Sequence, residues 1–310
     1  MSLAGVQALP AKNSWWLLVK STCIRHPIWT FAALLLFVVS FSAAEDWPQF
    51  QRDATKSGLT GDNVPIKPAV IWSADLQSVD LQPIICLGTV YVLAGNGTLW
   101  ALDEVTGGVI WKSQMDGRAF QSSTPACDGE RIYAASDTGD LAAFDARTGE
   151  MIWTDHLTDK RFECPVTYAD GRIFLGESIA YGKGLKRYFS FDRDGNEYWN
   201  ATAETSGYLW NGASVAGDFV IWGDNDGMLV SVNLTDGTIV DELDLRDESR
   251  ISFAKEDAGR IRSSVSYKDG YVYTSSEFSL NIGYAWKIGF DQTTGLFKDD
   301  GWGTRRIGKV

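Results

Sequence analysis

A unit of about 42 residues recurs along this chain, and that recurrence constrains the fold more than any other feature. The clearest pair is TVYVLAGNGTLWALDEVTGGVIWKS at 89–113 and RIYAASDTGDLAAFDARTGEMIWTD at 131–155, in which Asp103, Gly107 and Trp111 correspond to Asp145, Gly149 and Trp153. A third copy keeps Asp192, Gly195 and Trp199. A fourth keeps Gly237 but has Asn233 for the aspartate and Val240 or Asp241 for the tryptophan. In a fifth, Asp291 and Gly295 return with Phe297 nearby. A β unit this short cannot bury its own apolar face, so successive copies must stack.

Each copy has the same local grammar. Short alternating runs such as Arg131–Ala135 and Leu141–Phe144 have strand period and are separated by the turn Asp137-Thr138-Gly139-Asp140. A preceding strand is visible in Pro125-Ala126-Cys127, and the Asp-x-x-Thr-Gly element reverses the chain into a Trp-bearing outer strand. Glycine there enters left-handed backbone space, while aspartate accepts turn amides. Four strands per copy follow, over approximately 82–113, 122–155, 163–200, 210–243 and 262–298. Ile84, Val90, Ile132, Phe144, Ile173, Phe191, Phe219, Val230, Val272 and Ile288 are the expected core. The recurrent tryptophans are expected between blades, with the indole N–H satisfied at the rim. Asp103, Asp145, Asp192 and Asp291 read as turn acceptors, because a residue that recurs from copy to copy is a poor candidate for a unique catalytic role. Trp153→Ala is expected to cost more stability than Trp47→Ala.

Residues 1–44 contain Lys12, Lys20 and Arg25 and no acidic side chain. They lead into the apolar run Trp29–Phe41, which is shorter than the roughly 20 residues of a spanning helix, and then into Ser42-Ala43-Ala44. This reads as a signal peptide cleaved after Ala44, or as a membrane-targeting anchor if it is retained. Its removal takes the formal charge from -12 to -15, which disfavours a nucleic-acid partner. The expected location is secreted, periplasmic or cell-surface. Residues 45–310 then form one repeat domain. Cys86, Cys127 and Cys164 are odd in number, so pairing is open and one is left over if two are bridged. Three small buried strand residues are the plain alternative. Asn96, Asn200 and Asn233 begin N-x-[ST] sequons.

The opening DWPQFQRDATKSGLTG, with ALDEVTGGVIW and AFDARTGEMIW, resembles the pyrroloquinoline-quinone-like repeat proteins. That β-propeller family includes quinoprotein dehydrogenases and a noncatalytic propeller of the bacterial outer-membrane assembly machinery. The resemblance covers about 46–310 and implies an all-β propeller of four-stranded repeats. The strand expected at 69–73 looks like the last of a blade whose first three strands are missing. The count is therefore five full blades plus one outer strand, an open or partial ring that a partner could complete.

A quinone dehydrogenase must orient pyrroloquinoline quinone and usually hold a divalent cation such as calcium. Its alcohol-oxidising branch also resembles itself in adjacent cysteines, which this sequence lacks. Asp192–Glu197 and Asp224–Gly227 are acidic turns without the spacing of a full calcium loop and read as ordinary hairpin turns. No catalytic or metal-binding residue is assigned. The most distinctive departure from the repeat spacing is the insertion around residues 178–185, with Lys183, Lys186, Arg187 and Tyr188 as a candidate basic and aromatic partner-binding tip. The sequence reads as an exported noncatalytic scaffold for a protein or cell-surface glycan. A quinone-dependent dehydrogenase and an inactive, truncated family fragment are the alternatives.

Overall fold

The computed structural model describes residues 45–63, 66–119, 123–178, 183–279 and 282–303. The expected targeting segment 1–44 lies outside them, as do residues 179–182 of the long hairpin tip.

Blade 1 consists of β1 (Ile84–Cys86), β2 (Thr89–Leu93), β3 (Thr98–Asp103) and β4 (Val109–Gln114), hydrogen-bonded in that order. Blade 2 repeats this with β5 (Ala126–Cys127), β6 (Arg131–Ala135), β7 (Asp140–Asp145) and β8 (Met151–His156). Blade 3 adds a short strand, β9 (Arg161–Phe162), to β10 (Thr167–Ala169), β11 (Arg172–Ser178), β12 (Gly184–Asp192) and β13 (Glu197–Thr205). Blade 4 is β14 (Ser214–Ala216), β15 (Phe219–Gly223), β16 (Met228–Asn233) and β17 (Ile239–Asp244). Blade 5 has the extra strand β18 (Arg260–Ile261) beside β19 (Ser266–Lys268), β20 (Tyr271–Ser279), β21 (Ile282–Asp291) and β22 (Leu296–Gly303). All neighbours are antiparallel and no sheet closes on itself, so the described chain is an open array of propeller blades. All ten residues expected in the core are buried.

The tryptophan positions show how one blade docks on the next. Trp111 Nε1 donates to the carbonyl of Ala146 at 3.0 Å, Trp153 to Arg193 at 2.9 Å and Trp199 to Leu234 at 2.9 Å, in each case the residue after the turn aspartate or asparagine of the following blade. The ring lies beneath the turn glycine. At Gly149, where φ is +75°, a Cβ would sit 2.6 Å from the Trp111 ring, so only glycine allows the approach. A β-bulge interrupts the pairing of third and fourth strands in every blade, starting two residues before the turn aspartate or asparagine in blades 1 to 4, as between Ala101 and Leu102, and one residue earlier in blade 5, between Ile288 and Gly289. Bulges increase strand twist, and here they turn the outer strand toward its neighbour. In blade 4 the register of the tryptophan belongs to Asp241, which accepts the amide of Phe297 at 2.9 Å, while Val240 and Phe219 fill the space beneath Gly295.

Residues 69–73 carry no strand hydrogen bonds, yet Trp72 does what an outer-strand tryptophan does. Its Nε1 donates to Glu104 at 2.8 Å and its ring packs beneath Gly107. Val70 and Ile71 beside it are exposed. The turn aspartates behave as expected: Asp145 Oδ1 accepts the Thr148 amide at 2.7 Å and its hydroxyl at 2.9 Å. The two acidic runs are likewise turns, Asp192 accepting Asp194 and Asn196 amides and Asp224 accepting those of Asp226 and Met228. Cys86 and Cys127 form a disulfide between the innermost strands of blades 1 and 2, which corrects the reading of all three cysteines as simple packing residues; Cys164 is free and buried.

The segment before the blades ties them together. Trp47 exchanges backbone hydrogen bonds with Ile85 of β1, and Pro48 accepts from Cys127 of β5. The Gln49 side chain pairs with both backbone groups of Tyr168 in β10. Ala54 then accepts from Val215 of β14 and Thr55 from Tyr267 of β19. Five blades, each by its innermost strand, are thus bonded to nine consecutive residues, 47–55. Such contacts give Trp47 a larger structural part than its place near the expected mature terminus suggests.

Trp153 is only partly buried, whereas Trp199 is 6% exposed. Trp199→Ala is therefore expected to be the costlier of the two changes, at roughly 3 kcal/mol relative to wild type, read as the shift in urea unfolding midpoint. Equal midpoints for the two alanine variants and wild type would contradict the docking role.

Candidate functional site

Two clusters lie on the end of the array that carries the connections between blades. The first holds the tip singled out in the sequence. Strand alternation along β12 decides the fate of each residue. Lys186 and Tyr188 share the face of the strand turned toward blade 4, while Arg187 shares the other face with buried Phe189 and lies over its ring. Tyr188 is fully buried and stacks on Trp222, with ring centroids 4.1 Å apart and 7° between planes. The Lys186 ammonium, 1% exposed, donates to the carbonyls of Thr205 at 3.0 Å and Gly184 at 3.2 Å. Burial, with the charge of Lys160 nearby, lowers its pKa. Arg187 grips the buried carboxylate of Glu177 at 2.7 and 3.1 Å, and Lys160 reaches the same group at 3.1 Å. Burial works against the Glu177 anion, but the bonds from Arg187, Thr158 and Lys160 together hold its pKa below the ordinary range. Lys183 stays exposed, 3.5 Å from Asp226. The structure thus gathers Lys183, Lys186 and Arg187 at one hairpin end, presents Lys183 and part of Arg187 to solvent, and keeps Tyr188 inside.

The second cluster was missed. Glu163, Trp210 and Arg262 each stand four residues before the inner strand of their blade, at Thr167, Ser214 and Ser266. The Trp210 amide donates to the Glu163 carbonyl at 2.8 Å, and the Arg262 guanidinium lies 5.6 Å from the Trp210 ring centre. Glu163 is 2% exposed, with Oε1 3.4 Å from Arg161. Its Oε2, the Trp210 Nε1 and the Arg262 Nε are buried and have no hydrogen-bond partner among the described residues. Beside them lie Cys164, whose thiol burial pushes up to about 12, and Lys56, fully buried with Nζ 3.1 Å from Gln49 Oε1. Burial lowers the Lys56 pKa to about 7 against the opposing pull of Asp53. The equal spacing of three unlike polar residues ahead of successive inner strands was the signal available in the sequence.

This cluster does not by itself fit a quinone held with calcium. Calcium takes six to eight oxygen ligands. Glu163 is the one carboxylate of the cluster, and the amide of Asn211 beside it is already committed, accepting from Gly223 at 3.2 Å and donating to Ile261 at 3.4 Å. Among the described residues no three His, Cys, Asp or Glu side chains come together as a metal site. Arg262 also covers the Trp210 ring that a flat cofactor would use.

The fold is similar to that of solved structures of both kinds. BamB from Moraxella catarrhalis aligns with a TM-score of 0.52 at 17% identity, over 77% of this chain and 64% of that one. Quinohemoprotein alcohol dehydrogenase from Comamonas testosteroni aligns at 0.62 and 14%, over 86% and 49%. A europium-containing methanol dehydrogenase aligns at 0.63 and 12%, over 83% and 58%. The chain therefore spans between about half and two thirds of the length of these structures, and at such identities the likeness is one of fold. No curated protein sequence matches the chain. A family profile described as outer membrane protein assembly factor BamB matches residues 95–295, well over half of the sequence. With the repeated blades and their docking tryptophans, that match makes this chain a member of the PQQ-repeat β-propeller family described by that assembly factor.

Proposed function

We propose that this chain is an exported, noncatalytic member of the family that works by binding a protein partner. The observation that carries the reading is the tie at residues 47–55. A central ligand of a propeller touches several inner strands, and here those strands are already bonded to the protein's own residues 47–55, through backbone groups and the Gln49 side chain. Exposed Val70 and Ile71 beside blade 1, and Phe278 and Trp302 on blade 5, offer the partner apolar surface. Lys183 adds a positive tip on an acidic protein, suited to steering an acidic partner. The description of the family by an outer-membrane assembly factor supports a place in the cell envelope.

A quinone-dependent dehydrogenase is the second reading, and the structural likeness weighs toward it, since the better-fitting structures above are dehydrogenases. The orphaned polar atoms of Glu163, Trp210 and Arg262 favour it as well. One experiment separates the two: native purification from envelope and medium, with the intact mass measured with and without added quinone and calcium, alongside dye-linked alcohol oxidation. A stable protein complex weakened by Lys183→Glu, with no oxidation, is the expected result. Quinone uptake with oxidation that Glu163→Gln abolishes would overturn it, and an isolated, inactive chain would leave an inert family fragment.

A further inference from the structure

Between blades 1 and 2, at the opposite end that carries the Asp-x-x-Thr-Gly turns, lies a groove of about 750 Å³. The corresponding place between blades 2 and 3 is filled. There Arg193 donates to Asp128 at 2.7 Å and to Glu130 at 2.6 Å, and Arg131 to Asp194 at 2.8 Å. Strand register and turn bonding identify the counterparts one blade earlier. Ile85 pairs with Val90 as Cys127 pairs with Ile132, which matches Asp128 to Cys86, Glu130 to Gly88 and Arg131 to Thr89. The carbonyl that receives the docking tryptophan belongs to Ala146 in one blade and Arg193 in the next, which matches those two, and the residue after each is Arg147 or Asp194.

The whole ion network has therefore been replaced by small or apolar residues, and one acid by a base. What remains has an apolar floor of Tyr91 and Trp111, ring centroids 5.7 Å apart, and walls from Leu87, Ile110 and Ile152, all exposed or partly exposed. Its charged lining is already engaged, with one exception. Glu130 and Arg131 belong to the network of the next groove, and Asp145 is bonded by its own turn. The exposed Arg147 guanidinium makes no hydrogen bond or ion pair among the described residues, although Asp145 feels its charge.

We propose that this groove binds a small monocarboxylate with an apolar body, its alkyl or aryl part on Tyr91, Trp111 and the two isoleucines and its carboxylate on Arg147. The size falls within that of small-ligand pockets, in which apolar walls supply area and a few polar groups orient the ligand. A planar guanidinium is the side chain best shaped for a carboxylate. The site is independent of the partner-binding reading and of the cluster around Glu163, since it lies at the other end of the blades.

Decanoate, kept below its micelle concentration, is the probe, with binding read by titration calorimetry on the full chain. Saturable binding is expected. Ala146→Arg rebuilds the side chain that Arg193 supplies next door and should abolish it, and Arg147→Gln should weaken it at least tenfold through loss of a charge-assisted bond. Decanol should bind more weakly than decanoate to the wild type and equally to Arg147→Gln. Should Ala146→Arg fail to fold, Arg147→Gln on its exposed turn still decides the matter. No saturable binding by the wild type, or unchanged decanoate affinity in Arg147→Gln, would overturn the proposal.

Discussion

Between pH 7 and 9 this protein is expected to gain stability as pH rises, by roughly 2–3 kcal/mol from Lys56 alone. Burial lowers the folded pKa of Lys56 to about 7 from an ordinary 10.5, so across this window the unfolded chain binds a proton that the folded chain does not. Below pH 7 both states are protonated and the cost of the buried charge is present in full. As pH rises through 7 the folded state sheds that charge and the cost falls away. Cys164 acts in the opposite sense only above its ordinary value of 9.0, because burial keeps its thiol protonated up to about 12. Urea unfolding midpoints at pH 7, 8 and 9 measure the gain, and the difference from Lys56→Met, which keeps the length and removes the charge, isolates it. Parallel pH profiles for the two proteins would show that Lys56 keeps its proton in the folded chain up to pH 9, with no lowered pKa.

Replacing both Cys86 and Cys127 by serine is expected to cost roughly 4 kcal/mol, the chain-entropy value for opening a loop of this length. The link spans 41 residues and joins two innermost strands, so its loss frees the first blade from the second in the unfolded ensemble. Chemical unfolding of the double variant against wild type under oxidising conditions measures it. The buried thiol of Cys164 should stay unreactive toward alkylating reagents in the native state of both. A loss below 1 kcal/mol would mean that the tie at 47–55 already restrains the two strands.

The blades were legible because their information is local. Alternation, turn glycines and the Asp-x-x-Thr-Gly-x-x-x-Trp spacing lie within one copy, and each copy confirms its neighbour's register. Even the departure in blade 4 was readable to within one position, Val240 or Asp241. What escaped were contacts between distant segments. Nothing in Trp47-Pro48-Gln49 announces that three successive residues will meet β1, β5 and β10. The Cys86–Cys127 pair was one of several pairings an odd set allowed. The tip at Lys183, Lys186, Arg187 and Tyr188 looked uniformly basic and aromatic because it was taken as a loop. Taken as a strand of period 2, Lys186 falls on the same face as Tyr188. The cluster of Glu163, Trp210 and Arg262 stayed hidden because its members share a position in the repeat but no chemistry.

The tie also sets an order of events as the chain folds. Contacts inside each blade join residues a few tens of positions apart and close quickly, whereas Gln51 meets Ser266 across 215 positions. Residues 47–55 leave the ribosome before any blade exists, yet the last of their backbone partners, Tyr267, belongs to the fifth. A segment made before any blade is therefore among the last to be fixed. Until blade 5 is in place, Thr55 lacks its final donor, the amide of Tyr267, so the tie stays incompletely locked for an interval after the earlier blades have formed.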